Sequence, residues 1–251
     1  EFGCRAAFRF PPMLLIPAAI AIFFMVRDRP SDVGLKNVEH QETYESSKET
    51  YSQPNNPLFA IYSYLFTNWR FVVTSHIKGF ENVVRYGLTT WAPIYYFEEA
   101  GLSIESTALV TVALPIGYLL APIVSGWISD VLLGGRRSPM IATSAIISAL
   151  ALIGLAIVPA ENIYAGALLL FIGAFAMSLS MTATLVVDMV GPKYASTASG
   201  VLDAHGYIYA GAQALIFAFI LNTSDTPWEI VFLAMAGVRI LSALIAWRVK
   251  I

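Results

Sequence analysis

Residues 106–139, STALVTVALPIGYLLAPIVSGWISDVLLGGRRSP, join a long apolar run to a short charged loop. No Asp, Glu, Lys or Arg occurs between Glu105 and Asp130. About 20 apolar residues are needed for a helix to cross the core of a bilayer, and soluble helices rarely supply them without a charge. This stretch therefore predicts a membrane-spanning helix that is followed by a loop at the membrane surface.

Three further runs without Asp, Glu, Lys or Arg predict additional membrane-spanning helices. They lie between Arg137 and Glu161, between Glu161 and Asp188, and between Asp203 and Asp225. Three more apolar segments are shorter or contain ionisable residues, namely 10–26, 71–97 and 228–247. With 57% hydrophobic and 13% charged residues, the composition is typical of a membrane protein. We therefore expect an all-α membrane protein with seven spans.

The distribution of Lys and Arg predicts the orientation of the spans, because cytoplasmic loops carry the excess of these residues. The loops at 98–103, 159–162 and 222–227 contain neither residue, whereas the alternate connections contain them. We therefore expect the loop after the first span and the C-terminus to be cytoplasmic. Arg5 and Arg9, on the outer side of the first span, depart from this pattern.

A hydrophilic segment divides the chain into three predicted parts. We expect a membrane span in residues 1–27, a cytoplasmic connector in 28–68 and a six-helix membrane bundle in 69–251. The connector contains HQETYESSKETYSQPNNP, which has the composition of a linker, followed by LFAIYSYLF, which suits a short helix at the membrane interface. Because the chain begins with Glu1 rather than Met, we expect it to be part of a longer protein.

The apolar segment 82–97, NVVRYGLTTWAPIYYF, contains an arginine, Arg85. On a helix with 3.6 residues per turn, an arc of about 100° around Arg85 contains further polar side chains: Lys78, Glu81, Asn82, Thr89 and Tyr96. A charge that faces lipid near mid-bilayer costs at least about 2.5 to 3.5 kcal/mol, so such a face turns toward the bundle interior or a water-filled cavity. We therefore expect this polar face to form a cavity wall.

The charges on the polar face favour an anionic solute. Lys78, Glu81 and Arg85 are two cations and one anion, so a net positive charge remains after one pair has formed. The planar guanidinium of Arg85 matches phosphate or carboxylate with two parallel hydrogen bonds. In the alternative interpretation, Glu81 and Arg85 only neutralise each other, while Lys78 extends to the cytoplasmic interface.

Three stretches carry a resemblance to a known family: RDRPSDVGL at 27–35, VVRYGLTTWAPIYYFEEAGLS at 83–103 and SGWISDVLLGGRRSP at 125–139. They resemble the second half of a major facilitator superfamily transporter. More narrowly, they resemble the organophosphate:phosphate antiporter family, which includes the glycerol-3-phosphate and hexose-6-phosphate transporters. The resemblance implies the C-terminal six-helix half of a 12-helix major facilitator fold, together with the preceding helix, in the inner (plasma) membrane of the cell.

The same resemblance implies roles for individual residues. Arg85, in its Arg-Tyr-Gly context, matches the substrate arginine on helix 7 of the family. The family carries a tyrosine where this chain has Asn82, and Lys78 and Glu81 add charges, so the substrate is expected to differ. By the same resemblance, an arginine in the missing N-terminal half would bind the phosphate together with Arg85.

The segment GWISDVLLGGRR resembles the superfamily's loop between helices 8 and 9, with its glycines, acidic residue and paired basic residues. Asp130 at a helix end can accept bonds from helix N-terminal amides and from the arginines. We therefore expect a charged cytoplasmic latch that holds one conformation, formed by Gly126, Asp130, Gly134, Arg136 and Arg137.

Ionisable residues inside other spans are candidates for the same cavity, because such residues are by default functional. On the span that begins near Asp203, Asp203 shares a helix face with Tyr207, and we place both in the substrate site. His205 points nearly opposite and is expected to bond to a neighbouring helix. Arg239 lies mid-way along the last span, where it lines a water-filled crevice or pairs with an acid such as Asp203.

The predicted function is alternating-access exchange of an organic phosphate ester, such as glycerol-3-phosphate or a sugar phosphate, for inorganic phosphate. The expected partners are the small anionic solute, the lipid bilayer and the N-terminal half of the same protein. Two alternatives remain open, a proton-coupled symporter of organic anions such as sugar acids and a phosphosugar sensor that does not transport. For the symporter, Asp203 would carry the proton.

Other functional classes lack support in the sequence. A membrane enzyme would need a nucleophile and base or a metal cluster, and neither His76 nor His205 has the partners for one. The single cysteine, Cys4, offers no disulfide or metal pair, and we expect neither cofactor nor metal. The isoelectric point near 5.9 gives no reason to expect nucleic-acid binding.

Overall fold

The structure is a computed structural model that describes residues 3–27, 33–34, 57–132, 134, 136–191, 194–224 and 227–248. These residues form helices and no strands, which confirms the all-α fold class. The α-helices are α1 (Gly3–Met25), α2 (Pro57–Thr67), α3 (Trp69–Glu98), α4 (Ile104–Thr111), α5 (Ala113–Trp127), α6 (Arg137–Ile157), α7 (Ile163–Ser178), α8 (Thr182–Val190), α9 (Ala195–Thr223) and α10 (Pro227–Arg248). A π-helical turn, Ile128–Leu132, continues α5.

Contacts divide the chain into two compact units, 1–53 and 54–251. The first unit contains α1, which includes three prolines, Pro11, Pro12 and Pro17, as membrane helices tolerate. Most of the predicted connector lies outside the described residues. The division into three parts therefore remains a prediction.

The second unit contains the helix that was expected at the membrane interface. This helix is α2, and its Leu65 is fully buried against Phe71 of α3 and Leu202 of α9. The residues from Pro57 onward thus pack with the bundle rather than extend as a linker.

Five helical segments are long and apolar enough to cross a membrane: Ile104–Val131, Arg137–Ile157, Ile163–Val190, Ala195–Thr223 and Pro227–Arg248. The first combines α4, α5 and the π-helical turn, and the third combines α7 and α8. Of the seven predicted spans, the remaining two are α1, whose apolar part is shorter, and α3. The 30 residues of α3 are long enough, but its charged side chains lower its hydropathy.

The helix with the charged side chains lies at the centre of the bundle. Helix α3 contacts α9 and α10 most extensively, and it also contacts α2, α4, α7 and α8. Its buried residues Val84 and Leu88 pack with Leu170, Phe232 and Met235 in the main apolar core. The packing of neighbours around α3 removes its polar face from lipid, as its charges require.

Helices α3 and α10 run antiparallel, as their side-chain contacts show. The ring of Tyr95, near the end of α3, lies 5.4 Å from that of Trp228 and 5.0 Å from that of Phe232, both near the start of α10. Two turns earlier on α3, Gly87 faces Met235, which lies further along α10. Contacts further along α10 are therefore made by residues nearer the start of α3, so the middle of α10 lies beside the polar part of α3.

Helices α5 and α7 approach closely at Gly117, which leads to a test of the packing. A Cβ at this position would lie 2.9 Å from both the Phe171 carbonyl oxygen and the Phe175 amide nitrogen. We expect Gly117→Ala to destabilise the purified protein in detergent by about 1 to 3 kcal/mol, because backbone atoms cannot yield as a side chain can.

The control for this substitution is Gly237→Ala on α10, where no neighbouring atom lies within 4 Å of the added Cβ. Alanine favours the helix by up to about 1 kcal/mol, so the control should be neutral or stabilising. Equal thermal unfolding temperatures for both variants would contradict the close α5–α7 contact.

Candidate functional site

A cavity of about 360 Å³ lies between α3, α5 and the break between α7 and α8. Four residues predicted for the substrate site line it: Lys78, Glu81, Asn82 and Arg85. The opposite walls include Tyr118 of α5 and Ser180 and Thr182 at the helix break. The cavity therefore combines charged, amide and hydroxyl groups, as a site for a polar solute requires.

A larger cleft of about 600 Å³ lies between α3 and α4. Its walls are mainly apolar, including Pro93, Ile94, Phe97 and Ile104, with Glu98 at one edge. It lacks the converging polar groups of the smaller cavity, so the smaller cavity is the better candidate for a binding site.

Arg85 is exposed to the cavity and has no acidic partner among the described residues. Its guanidinium carbon lies 4.8 Å from the centre of the Tyr118 ring, a distance at which a cation is attracted to an aromatic face. The alternative in which Glu81 and Arg85 only neutralise each other does not match this geometry. The donors of Arg85 remain available to a solute.

The Thr89 hydroxyl lies one turn beyond Arg85 on α3. It donates a 2.7 Å hydrogen bond to the Arg85 carbonyl oxygen, and its oxygen lies 3.4 Å from the Tyr118 hydroxyl. The Tyr118 hydroxyl also lies 3.3 Å from the Arg85 carbonyl oxygen. These contacts hold the Tyr118 ring in position opposite the Arg85 guanidinium.

Glu81 is almost fully buried and is held by the break between α7 and α8. Its carboxylate accepts a 2.9 Å hydrogen bond from the Thr182 hydroxyl and a second one from the Ser180 hydroxyl. The helix is interrupted at 179–181, so these two hydroxyls lie where one helix ends and the next begins. Glu81 thereby connects α3 to the helix break.

Asp203 pairs with Lys78, and this contact extends the polar cluster from α3 to α9. The Lys78 Nζ lies 3.4 Å from Asp203 Oδ1, and the lysine side chain is 19% exposed. Neither Asp203 nor Tyr207 lines the cavity. Tyr207 is 58% exposed, and its ring lies 5.7 Å from that of Tyr86. Asp203 is therefore connected to the cavity only through its ion pair with Lys78. Tyr207 does not line the cavity.

Asn82 is buried where α3 meets α9. A Cβ on Gly206 would lie 2.5 Å from the Asn82 Nδ2 atom, so the missing side chain of Gly206 is what allows this approach. Asn82 thus has both a place on the cavity wall and a packing role between the two helices.

His205 contacts a neighbouring helix, as expected, and its partner is His76 of α3. The Nε2 of His205 lies 3.3 Å from the Nδ1 of His76, which also lies 2.7 Å from the Tyr209 hydroxyl. Sequence reasoning missed this cluster, because His76 lies off the polar face. The sequence contained one indication of this contact, which is Gly79. This glycine lies one turn from His76, and the Tyr209 ring packs against the glycine.

Arg239 is fully buried, so it lines no water-filled crevice, and it is not paired with Asp203, which pairs with Lys78 instead. Its Nε, Nη1 and Nη2 atoms have no hydrogen-bond partner among the described residues.

Arg137 is the centre of the predicted cytoplasmic latch. It donates hydrogen bonds to the Ser129 hydroxyl, to Asp130 at 3.4 Å and to Asp188 of α8 at 3.3 Å. These contacts connect the start of α6 to the π-helical turn and to α8. Asp188 belongs to this group through its ion pair with Arg137.

The other predicted latch residues have different surroundings. Arg136 is exposed, and its side chain makes no hydrogen bond or ion pair with the described residues. Gly134 has a positive φ of 57°, which glycine adopts without strain. Gly126 lies on the cavity wall, where it connects the latch region to the site. The role of the latch remains a prediction.

The unequal contacts of the two arginines can be tested by substitution. We expect Arg137→Met to lower the free energy of unfolding by about 1 to 2 kcal/mol, since two partly exposed ion pairs and one hydroxyl bond are lost. Arg136→Met, the matched control, should change stability by less than about 0.5 kcal/mol. Thermal unfolding measures both, and equal losses would contradict the assignment of Arg137 as the bonding arginine.

Comparison with known proteins places the chain in a family. The model of the Major Facilitator Superfamily matches residues 1–214 and 79–250. A probable hexose phosphate transport protein of Chlamydia muridarum is 25% identical over 96% of this chain and 56% of its own length. The glycerol-3-phosphate transporter of Bacillus subtilis is 27% identical over 87% of this chain and 50% of its own length.

A further relative is named as a sensor. The membrane sensor protein UhpC of Escherichia coli is 23% identical over 98% of this chain and 56% of its own length. The chain thus spans about half the length of the curated relatives it matches. Together these matches confirm the resemblance to the organophosphate:phosphate antiporter family, and with the five apolar helices they indicate a multi-pass membrane protein.

Proposed function

Because the chain belongs to the Major Facilitator Superfamily, we propose that it forms the second half of a secondary transporter that exchanges an organic phosphate ester for inorganic phosphate. In such transporters two halves rock about a site near the middle of the membrane, which opens to one side at a time. The observation that carries the proposal is Arg85, a cation on the cavity wall without an acidic partner among the described residues.

The charges around the cavity support an anionic solute. Lys78 pairs with Asp203, and the carboxylate of Glu81 is occupied by the hydroxyls of Ser180 and Thr182. Arg85 is then the charge that a solute neutralises. A guanidinium binds two oxygens of one phosphate group through parallel hydrogen bonds, and such charge-assisted bonds are strong.

The names of the relatives support a phosphate group on the solute. They are named for the transport of hexose phosphate and of glycerol-3-phosphate, and a relative in Salmonella typhimurium is named as a phosphoglycerate transporter protein. The organic part differs among these names, whereas the phosphate is common to them. The proposed substrate class is therefore the phosphate ester, without a choice among its organic parts.

The proposed transporter also includes an N-terminal half, which joins the half formed by this chain. By analogy with the family, the N-terminal half supplies a second arginine to the phosphate, and an empty site with two unneutralised cations resists reorientation, which makes exchange obligatory. The proposed location is the inner membrane, with the connector 28–68 and the C-terminus on the cytoplasmic side, as the loop charges favour.

A phosphosugar sensor is the second candidate, because UhpC is among the relatives. A sensor would bind the same anion through Arg85 without exchange. The proton-coupled symporter has less support, since its candidate proton carrier, Asp203, does not line the cavity and is paired with Lys78.

The proposal is tested with the full-length gene product in phosphate-loaded proteoliposomes. We expect external glycerol-3-phosphate or hexose-6-phosphate to drive efflux of labelled phosphate, and Arg85→Lys to reduce the initial rate about tenfold or more. The physical reason is that lysine keeps the charge but loses the two parallel hydrogen bonds, each worth about 1.5 to 3 kcal/mol.

The matched control is Arg70→Lys on the same helix. Arg70 also lies over an aromatic ring, that of Trp69 at 5.8 Å, but outside the cavity. The Arg70→Lys substitution should leave the initial rate of phosphate efflux unchanged. Phosphate binding without efflux would favour the sensor, whereas uptake of a sugar acid with a proton gradient, and no response to phosphate esters, would replace the antiporter by the symporter.

A further inference from the structure

Arg239 is a charged side chain with none of the partners that its burial requires. It is 0% exposed in the middle of α10, and all three of its guanidinium nitrogens lack a hydrogen-bond partner among the described residues. A buried charge without a partner is costly, and in membrane proteins such residues usually have a functional role. The position of Arg239 therefore needs a reason other than packing.

The antiparallel packing of α3 and α10 indicates the partner. Tyr95 meets Phe232 and, two turns earlier on α3, Gly87 meets Met235. One further turn along α10 places Arg239 opposite the part of α3 that carries Glu81. Of the two acidic residues of α3, Glu81 and Glu98, Glu81 is the one at this level, since Glu98 lies at the end of the helix near Tyr95.

Two arginines are therefore near the level of Glu81. Arg239 of α10 is fully buried in the bundle interior, and Arg85 lies four residues further along α3 on the cavity wall. The carboxylate is bound to neither, since it accepts hydrogen bonds from Ser180 and Thr182. Oppositely charged side chains four residues apart on a helix ordinarily attract each other, so the missing Glu81–Arg85 pair requires an explanation.

We propose that Arg239 is a positioning residue of the anion site, whose buried charge holds the Glu81 carboxylate away from Arg85 and so keeps Arg85 available to the solute. This inference rests on the proposed function, because it assumes that Arg85 binds the anion. Arg239 touches no solute in this role. It acts through Glu81 across a region of low dielectric constant, where charges act over longer distances than in water.

The consequence of removing Arg239 follows from the same charges. The Glu81 carboxylate would lose the cation behind it, and Lys78 is already paired with Asp203. Arg85 is then the cation that the carboxylate can turn to. An ion pair between Glu81 and Arg85 would compete with the solute phosphate for the same guanidinium, so anion binding would weaken although no residue in contact with the anion had changed.

The experiment measures equilibrium binding of labelled inorganic phosphate to the full-length gene product purified in detergent. We expect Arg239→Met to raise the Kd for phosphate about tenfold, as expected for loss of a buried charge partner. Glu81→Gln added to Arg239→Met should return the Kd to within about threefold of Glu81→Gln alone, since no carboxylate then competes for Arg85. Arg239→Lys, which keeps the charge, should bind phosphate nearly as the wild type does.

The control is Arg248→Met, an exposed arginine on the same helix, which should leave the Kd unchanged. An unchanged Kd in Arg239→Met would overturn the inference, as would a raised Kd that Glu81→Gln does not restore. If Arg239→Met does not fold, recovery of folding and binding in the double variant supports the charge partnership. Failure of the double variant to fold would assign Arg239 a purely structural role and overturn the inference.

Failure of the proposed function gives a different result. A wild-type protein that binds no phosphate would overturn both the antiporter and the positioning role of Arg239. The thermal unfolding temperatures of the wild type, Arg239→Met, Glu81→Gln and the double variant then report separately on Glu81 and Arg239. Stability that is lost in Arg239→Met and regained with Glu81→Gln would identify the two as charge partners without an anion site.

Discussion

The structure depends on one constraint, which is that charged side chains within a bilayer need protein or water rather than lipid around them. Helix α3 carries Lys78, Glu81 and Arg85 within about two turns, and six of the other helices of the second unit pack around it. The apolar helices α6, α7 and α10 supply the core, while α5, α8 and α9 supply the polar side chains that meet the charges. The polar face thereby determines which helix lies beside which.

Each charge on this face is accommodated in a different way. Lys78 has an ion pair with Asp203, Glu81 has two hydroxyl donors, and Arg85 has the face of an aromatic ring. An aromatic ring attracts a cation without competing for its hydrogen-bond donors in the way a carboxylate does. This difference separates a charge that serves the packing of the bundle from a charge that is available for a solute.

The sequence was sufficient to predict five of the seven expected spans, the polar face and the basic loop, because these follow from composition and helical periodicity along one segment. It was not sufficient for contacts between helices. The ion pair of Lys78 with Asp203 and the environment of Arg239 depend on which helices are neighbours and on their axial register, which periodicity does not define. The break at 179–181 contains neither Gly nor Pro, so no local signal predicted that its hydroxyls would face Glu81.

The glycines between α3 and α9 have a mechanical consequence. Tyr209 of α9 packs into the space above Gly79 of α3, and Asn82 of α3 packs into the space above Gly206 of α9. A side chain of each helix therefore occupies the space left by a glycine of the other helix. If one helix slid along the other by one residue, both side chains would be pressed against backbone. Helices α3 and α9 are interlocked against translation along their axes. In any rearrangement of the bundle that keeps these contacts, the two helices therefore move together as one rigid unit.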